Sequence, residues 1–537
     1  MKKGLLIILC VITIYSAFAQ PGHETIPASA LPEQTWWNLL HYTIDIRPDF
    51  ESKSLTGINY IEFRAIRPGK VLQLDLMQPL SIRWMTWNGS PLSFERKDDV
   101  CLVRFPKEIK ANEVITVAVA FEGKPKEAVH PPWDGGWIWA KDKLGRPWMS
   151  LACESPGAMI WMPCKNVSYD EPDSGINLNI TVPDTLVGVG NGRLVKKSRH
   201  KDGTMTYEWR VRNPINDYDI CPYIGEYVTW HHEYPGLKGT LDCDYWVLDY
   251  NRAKAGSHLK EVDTMLHCFE EWMGPYPFYQ DSYKVVEAPM AGMEHQSAIA
   301  YGNGFEDGYL GKNLSGTSWG LKWDFILVHE SGHEWFGNSI TANSYVDGWI
   351  HEGFTKYLET IYTGWLFGVE AGNEYMLGIW KRIKNDQPIL GSGSSDEYNK
   401  GAALLHMIRQ IVGDTLFKKI LHDLNKTFYH QTVNTDQILN CMNRTAGKDF
   451  SSLFTQYLTT TQVPVLEYRF ERDSLLYRWI NCVPGFNMPV KVAVGSDSDT
   501  LITPLTHWQQ LPLSDTSPKT LRVNSNFYVT VKEGQPG

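Results

Sequence analysis

The sequence predicts a multidomain α+β protein, with an antiparallel β-sandwich first, a mostly helical region second and a small β-sandwich last. Three observations predict this order. The chain has 537 residues, more than one ordinary hydrophobic core accommodates. Apolar and polar residues alternate with period two in runs between about residues 36 and 228, and again after Pro464. Between those stretches the apolar period lengthens to that of a helix. The divisions expected are 1–19, 20–228, 229–460 and 461–537.

Residues 1–19 have the make-up of a secretory signal. Lys2 and Lys3 give a positive start, Leu5 to Ile14 an apolar run short for a bilayer, and Ala17-Phe18-Ala19 a small-x-small cleavage site. Cys10 follows Leu9 rather than a small residue, which argues against lipid attachment. Export to the periplasm or the exterior is expected, with a mature chain starting near Gln20. Strands follow. Ile115, Val117, Val119 and Phe121 alternate with smaller or polar neighbours, as do Ile176, Leu178, Ile180 and Val182, and then Met205, Tyr207, Trp209 and Val211. Near Tyr250 the period changes. Leu259, Val262, Leu266, Phe269 and Met273 recur at helical spacing and stop at Gly274-Pro275. A strand is predicted at Tyr283-Lys284-Val285-Val286, then mostly helix from Leu321 to about Leu458. Leu466, Tyr468 and Phe470, and later Val490, Val492 and Val494, return to alternation. The loop Gly391-Ser392-Gly393-Ser394-Ser395 is flexible by composition.

Composition excludes several classes. Hydrophobic content of 43% and charged content of 21% are those of a globular protein. The formal charge of -10 becomes more negative by two once Lys2 and Lys3 are removed, and basic residues are scattered, so nucleic acid is not an expected partner. No segment after the signal is long and apolar enough to be transmembrane. The eight cysteines of the mature chain show neither a disulfide framework nor zinc-ligand pairs, and most are expected to be buried free thiols.

The chemistry lies in Val328-His329-Glu330-Ser331-Gly332-His333-Glu334-Trp335. Histidines four apart share a helix face and can bind one zinc ion, with the intervening glutamate placed as general base and acid. Nineteen residues after His333 comes Glu352, within Gly348-Trp349-Ile350-His351-Glu352-Gly353-Phe354. His329, His333 and Glu352 would leave a fourth zinc position for water, as catalytic sites do. The apolar run Phe325 to Val328 suits a buried helix. Glu359 lies two turns after Glu352 and could hold the second nitrogen of a ligating histidine, though a solvated helix charge explains its spacing equally well.

These residues resemble the gluzincin aminopeptidases, the group of aminopeptidase N and leukotriene hydrolase. Trp335-Phe336-Gly337-Asn338 and Trp349-Ile350-His351-Glu352-Gly353-Phe354 match the family's motifs, with histidine for asparagine at 351. Ala291-Gly292-Met293-Glu294-His295 matches its G-A-M-E-N motif, with histidine for the last asparagine, and Tyr398-Asn399-Lys400-Gly401 resembles its Y-E-K-G. The resemblance implies a saddle-shaped β domain, a thermolysin-like catalytic domain and one zinc ion per chain. It also implies that Glu330 is the proton carrier, that Tyr398 donates to the oxyanion, and that Glu294, on the Gly292-Met293 segment, binds a substrate's free α-ammonium. Counting back from Pro163-Cys164, it makes Glu154 a second amine anchor and Met290 part of the pocket for the first substrate residue. The substrates implied are peptides with a free N-terminus. The cluster Trp133, Trp137, Trp139 and Trp148 could wall the cleft, but packing within the β domain explains it better.

One departure concerns the roof. Family members usually carry a large helical C-terminal domain over the cleft, whereas this sequence continues about eighty residues past its helical region in β pattern, so that roof is expected to be missing. Three other readings remain at this stage. They are a metalloendopeptidase on the same core, a catalytically silent peptide-binding protein and, by fold analogy alone, an epoxide hydrolase.

Overall fold

A computed structural model of the chain describes residues 30–391, 393–495, 498–513 and 520–535. The signal-like segment lies outside the described residues. The N-terminal region is built on an eight-stranded sheet. Its centre is the long pair Trp37–Asp49 and Ser54–Ala65, with Val114–Gly123 beyond one side and Ile176–Pro183 and Thr204–Val211 beyond the other. The joins are antiparallel except that of Trp37–Asp49 to Ile176–Pro183, which is parallel. Strand Ile176–Pro183 buries Ile176, Leu178, Ile180 and Val182 and turns its asparagines outward, the period-two rule in its simplest form. Two smaller sheets, one of three strands and one of four, share a core with it that includes Trp37, Phe63, Phe105, Trp137, Trp161 and Trp209.

A five-stranded mixed sheet begins at Tyr227–Gly236 and ends on the short edge strand Gly292–Met293, which pairs antiparallel with Ile299–Tyr301. Helix α1 (Glu261–Met273) buries Val262, Met265, Leu266, Phe269 and Met273. At about 1.5–3 kcal/mol for each large side chain taken from water, this face holds the helix in place. Four further helices frame the cleft: α2 (Phe325–Gly332), α3 (Trp349–Phe367), α4 (Val369–Trp380) and α5 (Asp396–Val412). After Pro464 the chain forms a four-stranded and a three-stranded sheet. Leu466, Trp479 and Val490 from these sheets, and Phe527 from the turn between the last two described strands, join the same core as the helices. Among the described residues no helix is long and apolar enough to cross a membrane.

Helix α2 has only two turns, so its N-terminus matters. Asp324 caps it by accepting from Leu327 N at 3.0 Å. The same fully buried carboxylate takes His258 Nε2 at 2.7 Å, Asn303 Nδ2 at 2.8 Å and the Tyr301 hydroxyl. Asp324→Ala removes the cap and takes the acceptor from the buried Tyr301 hydroxyl and from half-buried His258. It should destabilise the protein by about 2–4 kcal/mol, read from the urea midpoint, where an isolated cap would cost about 1 kcal/mol.

Candidate active site

His329 occupies the last turn of α2, and His333 follows as the residue that closes the helix. Glu352 stands in the first turn of α3. His329 Nε2 and His333 Nε2 lie 3.4 and 3.5 Å from Glu352 Oε2. Donors placed tetrahedrally about 2.0–2.1 Å from one zinc ion stand about 3.4 Å apart, so the spacing suits that metal. Glu352 Oε2 is buried without a hydrogen-bond partner, nearly equidistant from the two ring nitrogens. The residues present fit zinc. Burial works against the Glu352 charge, but His333 and His329 hold its pKa well below the carboxylate range.

The far side of each ring is fixed as well. His329 Nδ1 donates to Glu359 Oε1 at 2.9 Å, and His333 Nδ1 lies 3.0 Å from the Phe336 carbonyl oxygen. Each bond selects the tautomer whose Nε2 lone pair faces Glu352. Glu359 is fully buried and clamped by Lys356 Nζ at 2.8 Å and the Tyr375 hydroxyl at 2.6 Å. Burial alone would raise its pKa, but Lys356 and His329 hold it below the usual range. Of the two explanations open for Glu359, the solvated charge is the one the structure discards.

Glu330 faces the same cleft. Burial pushes its carboxyl up to about 7, with His329 opposing and Glu294 reinforcing the shift. Glu294, Glu330 and His333 offer donor atoms within 4.8 Å of one another. The Tyr218 hydroxyl donates to Glu294 Oε1 at 3.2 Å, and Asn338 Nδ2 holds the Glu294 carbonyl at 2.8 Å. Burial raises the Glu294 pKa, and burial with Glu294 beside it raises that of Glu154. Glu154 is half-buried on the same wall, with its carbonyl accepting from the Tyr345 hydroxyl at 2.9 Å.

Gly292 and Met293 also line the cleft. A Cβ on Gly292 would lie 2.6 Å from both Glu330 Oε1 and Ile326 Cγ2, so the edge strand can run beside Glu330 only without a side chain there. Met290 departs from the expectation. It is 6% exposed, packs with the core of the β region and is not among the cleft-lining residues. A thioether draws more stabilisation from that apolar core than from an open cleft. Tyr398 sits in the first turn of α5 with its ring 6.2 Å from that of His329 and nearly parallel to it. Burial and the neighbouring Glu352 push its pKa well up, which keeps the hydroxyl protonated as a donor. Helices α3 and α5 cross where a Cβ on Gly401 would come within 3.0 Å of Gly353 Cα, and that close approach brings Glu352 and Tyr398 to one pocket.

Several working residues carried no sequence signal. Tyr218 and Tyr375 act through partners distant in the chain, and Lys356 through Glu359 one helical turn on. Glu334 adjoins the zinc motif and could have been suspected on that ground. Buried, it accepts from Ser297 N at 2.8 Å and the Tyr276 hydroxyl at 3.1 Å, tying α2 to the loop after Glu294. The two histidines that replace asparagine are buried neutral. His351 Nε2 accepts from Ala342 N at 2.7 Å, and His295 Nδ1 lies 2.6 Å from the Tyr223 hydroxyl. Of the four tryptophans, Trp137 is fully buried, Trp139 and Trp148 are partly buried, and Trp133 is exposed on the cleft rim. Ser395 lines the cleft, while Ser392 lies outside the described residues. The eight described cysteines are free thiols, seven of them buried.

Two histidines and a glutamate converging on one point are the donor set of a catalytic zinc site. The chain carries a peptidase family M1 domain, matched over residues 258–457. It is 22% identical over 458 residues to a probable aminopeptidase 1 of Sulfurisphaera tokodaii, covering 80% of this chain and 54% of that one. It is 22% identical over 444 residues to leukotriene A-4 hydrolase of Xenopus laevis, covering 76% and 68%. An M1 zinc metallopeptidase from Deinococcus radiodurans superposes with a TM-score of 0.68 at 20% identity, covering 80% of this chain and 96% of that one. The same enzyme has been solved with a Tyr-Ser-Ala substrate. The chain spans about half the length of the Sulfurisphaera aminopeptidase and of aminopeptidase M1-B from rice.

Glu359→Gln keeps the shape but withdraws the charge from the His329–Glu359 pair. Zinc affinity should fall about 10–100-fold in a competition with a metal buffer, with far-UV circular dichroism unchanged.

Proposed function

We propose that this protein is an exported zinc aminopeptidase that removes single residues from the N-terminus of peptides. The observation that carries the reading is the placing of Glu294 and Glu154 on the same cleft as the triad of His329, His333 and Glu352. The signal-like residues 1–19 support export.

Glu294 and Glu154 would receive the substrate's α-ammonium. Charge-assisted hydrogen bonds of this kind contribute about 1.5–3 kcal/mol each. A blocked or internal peptide leaves two desolvated carboxylates unpaired, which restricts attack to the first peptide bond. His329, His333 and Glu352 would hold zinc, which when bound supplies Lewis acidity to the site. Glu330, with a pKa near 7, takes a proton from the attacking water and returns it to the departing amine. Tyr398 donates its hydroxyl proton to the oxyanion that forms at the carbonyl, a contribution of about 3 kcal/mol in comparable sites. A silent binding protein needs neither of these last two groups.

Two measurements test the reading. Free aminoacyl reporters should be hydrolysed, their N-acetylated forms resisted, and activity lost to a chelator; cleavage of acetylated peptides would instead identify an endopeptidase. Glu330→Gln should retain zinc and lose at least about a thousandfold in kcat, and unchanged turnover would overturn the mechanism.

A further inference from the structure

Ser297 stands three residues after Glu294 and is fully buried with a φ of 53°. A serine holds that left-handed conformation only where its surroundings impose it. Each of its three polar groups meets a different element. Its N–H donates to Glu334 Oε1 at 2.8 Å, its Oγ accepts from Gly192 N at 2.9 Å, and its carbonyl accepts from Lys284 Nζ at 3.0 Å. The same ammonium group donates to the Gly192 carbonyl at 2.5 Å, and Asn191 Nδ2 donates to the Gln296 carbonyl at 2.7 Å. Asn191, Lys284 and Glu334 are all fully buried, so breaking any of these bonds leaves a polar group unpaired away from water.

Glu334 is the residue that follows His333. Its carboxylate is itself steadied, with the Tyr276 hydroxyl on Oε1 at 3.1 Å and Asn338 Nδ2 on Oε2 at 3.3 Å. Asn338 Nδ2 also reaches back to the Glu294 carbonyl at 2.8 Å. Before Glu294 the chain is held only by the two-residue edge strand Gly292–Met293, and after it by the bonds at Ser297. Loops and short edges are the mobile parts of most folds. Here the backbone on both sides of the Glu294 carboxylate is tied to the segment that supplies a zinc ligand.

The tolerance required is small. One residue of extended chain spans about 3.3–3.6 Å, and displacing reacting groups by about 1 Å costs about a hundredfold in rate. We propose that Glu334 is a positioning residue which, through Ser297, locks Glu294 to the segment carrying His333 and so sets the span between the substrate's amine end and the bond that is cut. The inference rests on the aminopeptidase reading. Glu334 acts through the loop and does not meet the substrate.

Two hydroxamates separate the amine anchor from the metal. Alanine hydroxamate carries an ammonium and a metal-chelating group at a set separation, and propionohydroxamate carries the chelating group alone. In calorimetry with the zinc-loaded protein, wild type should bind alanine hydroxamate about tenfold or more tighter. In Glu334→Ala that ratio should fall toward one, with zinc content and propionohydroxamate affinity retained. Glu334→Gln keeps the oxygen that the Ser297 N–H needs and should keep most of the ratio. Glu334→Asn leaves an amide in the buried site but falls one methylene short of Ser297, so it should lose the ratio as alanine does, and it serves where the alanine variant does not fold. A ratio that persists in the shortened variants overturns the proposal. So does an equal loss for both hydroxamates, which is what a merely structural role produces. A wild type that does not distinguish the two compounds overturns the amine-anchor role of Glu294, and the present inference with it.

Discussion

The site depends on a concentration of negative charge that a folded protein would ordinarily avoid. Glu154, Glu294, Glu330 and Glu352 line one cleft, three of them less than a tenth exposed. Like charges at low dielectric repel strongly, and desolvation adds to the cost. The chain meets this with graded compensation. Glu352 is flanked by two imidazoles, Glu359 behind them is neutralised by Lys356, and Glu294 takes a hydroxyl from Tyr218. What stays uncompensated is the inward face of Glu352 and the mouth formed by Glu294 and Glu154. A divalent cation answers the first, and in the proposed aminopeptidase an ammonium group would answer the second.

Much of the fold was legible because periodicity reports burial. The alternation at Ile176 to Val182 becomes a strand buried on one face, and the spacing from Val262 to Met273 becomes a helix with its apolar side inward. Other features left no local trace. The parallel join between Trp37–Asp49 and Ile176–Pro183 links segments more than a hundred residues apart, and pairing over that distance is decided by packing. The sharing of one core between the C-terminal sheets and the helices is equally invisible, because alternation says which residues are buried and not against what.

The site divides in the same way. His329, His333, Glu330 and Glu352 could be found because helix geometry converts spacing into direction, and Glu359 follows from the same rule two turns on. Glu294, Glu154 and Tyr398 needed a resemblance, since loops and short edge strands have no period to read. The weakest guide was position next to a motif. Met290, four residues before Glu294, points into the β core, whereas Glu334, one residue after His333, holds the loop that carries Glu294. Tyr218 and Tyr375 come from segments with no mark at all, and Lys356 shares the helix of Glu352 without a pattern that singles it out, so only the folded chain reveals them.

Helix α5 has a role beyond supplying Tyr398. One end touches the pocket, while further along His406 Nε2 meets Asn526 Oδ1 at 3.1 Å and Met407 Sδ accepts from Tyr528 N at 3.3 Å. A helix held at Gly353–Gly401 and gripped again by the turn that carries Asn526 and Tyr528 has its direction fixed at two points. The C-terminal region in this sense helps to set the direction of the helix that carries Tyr398.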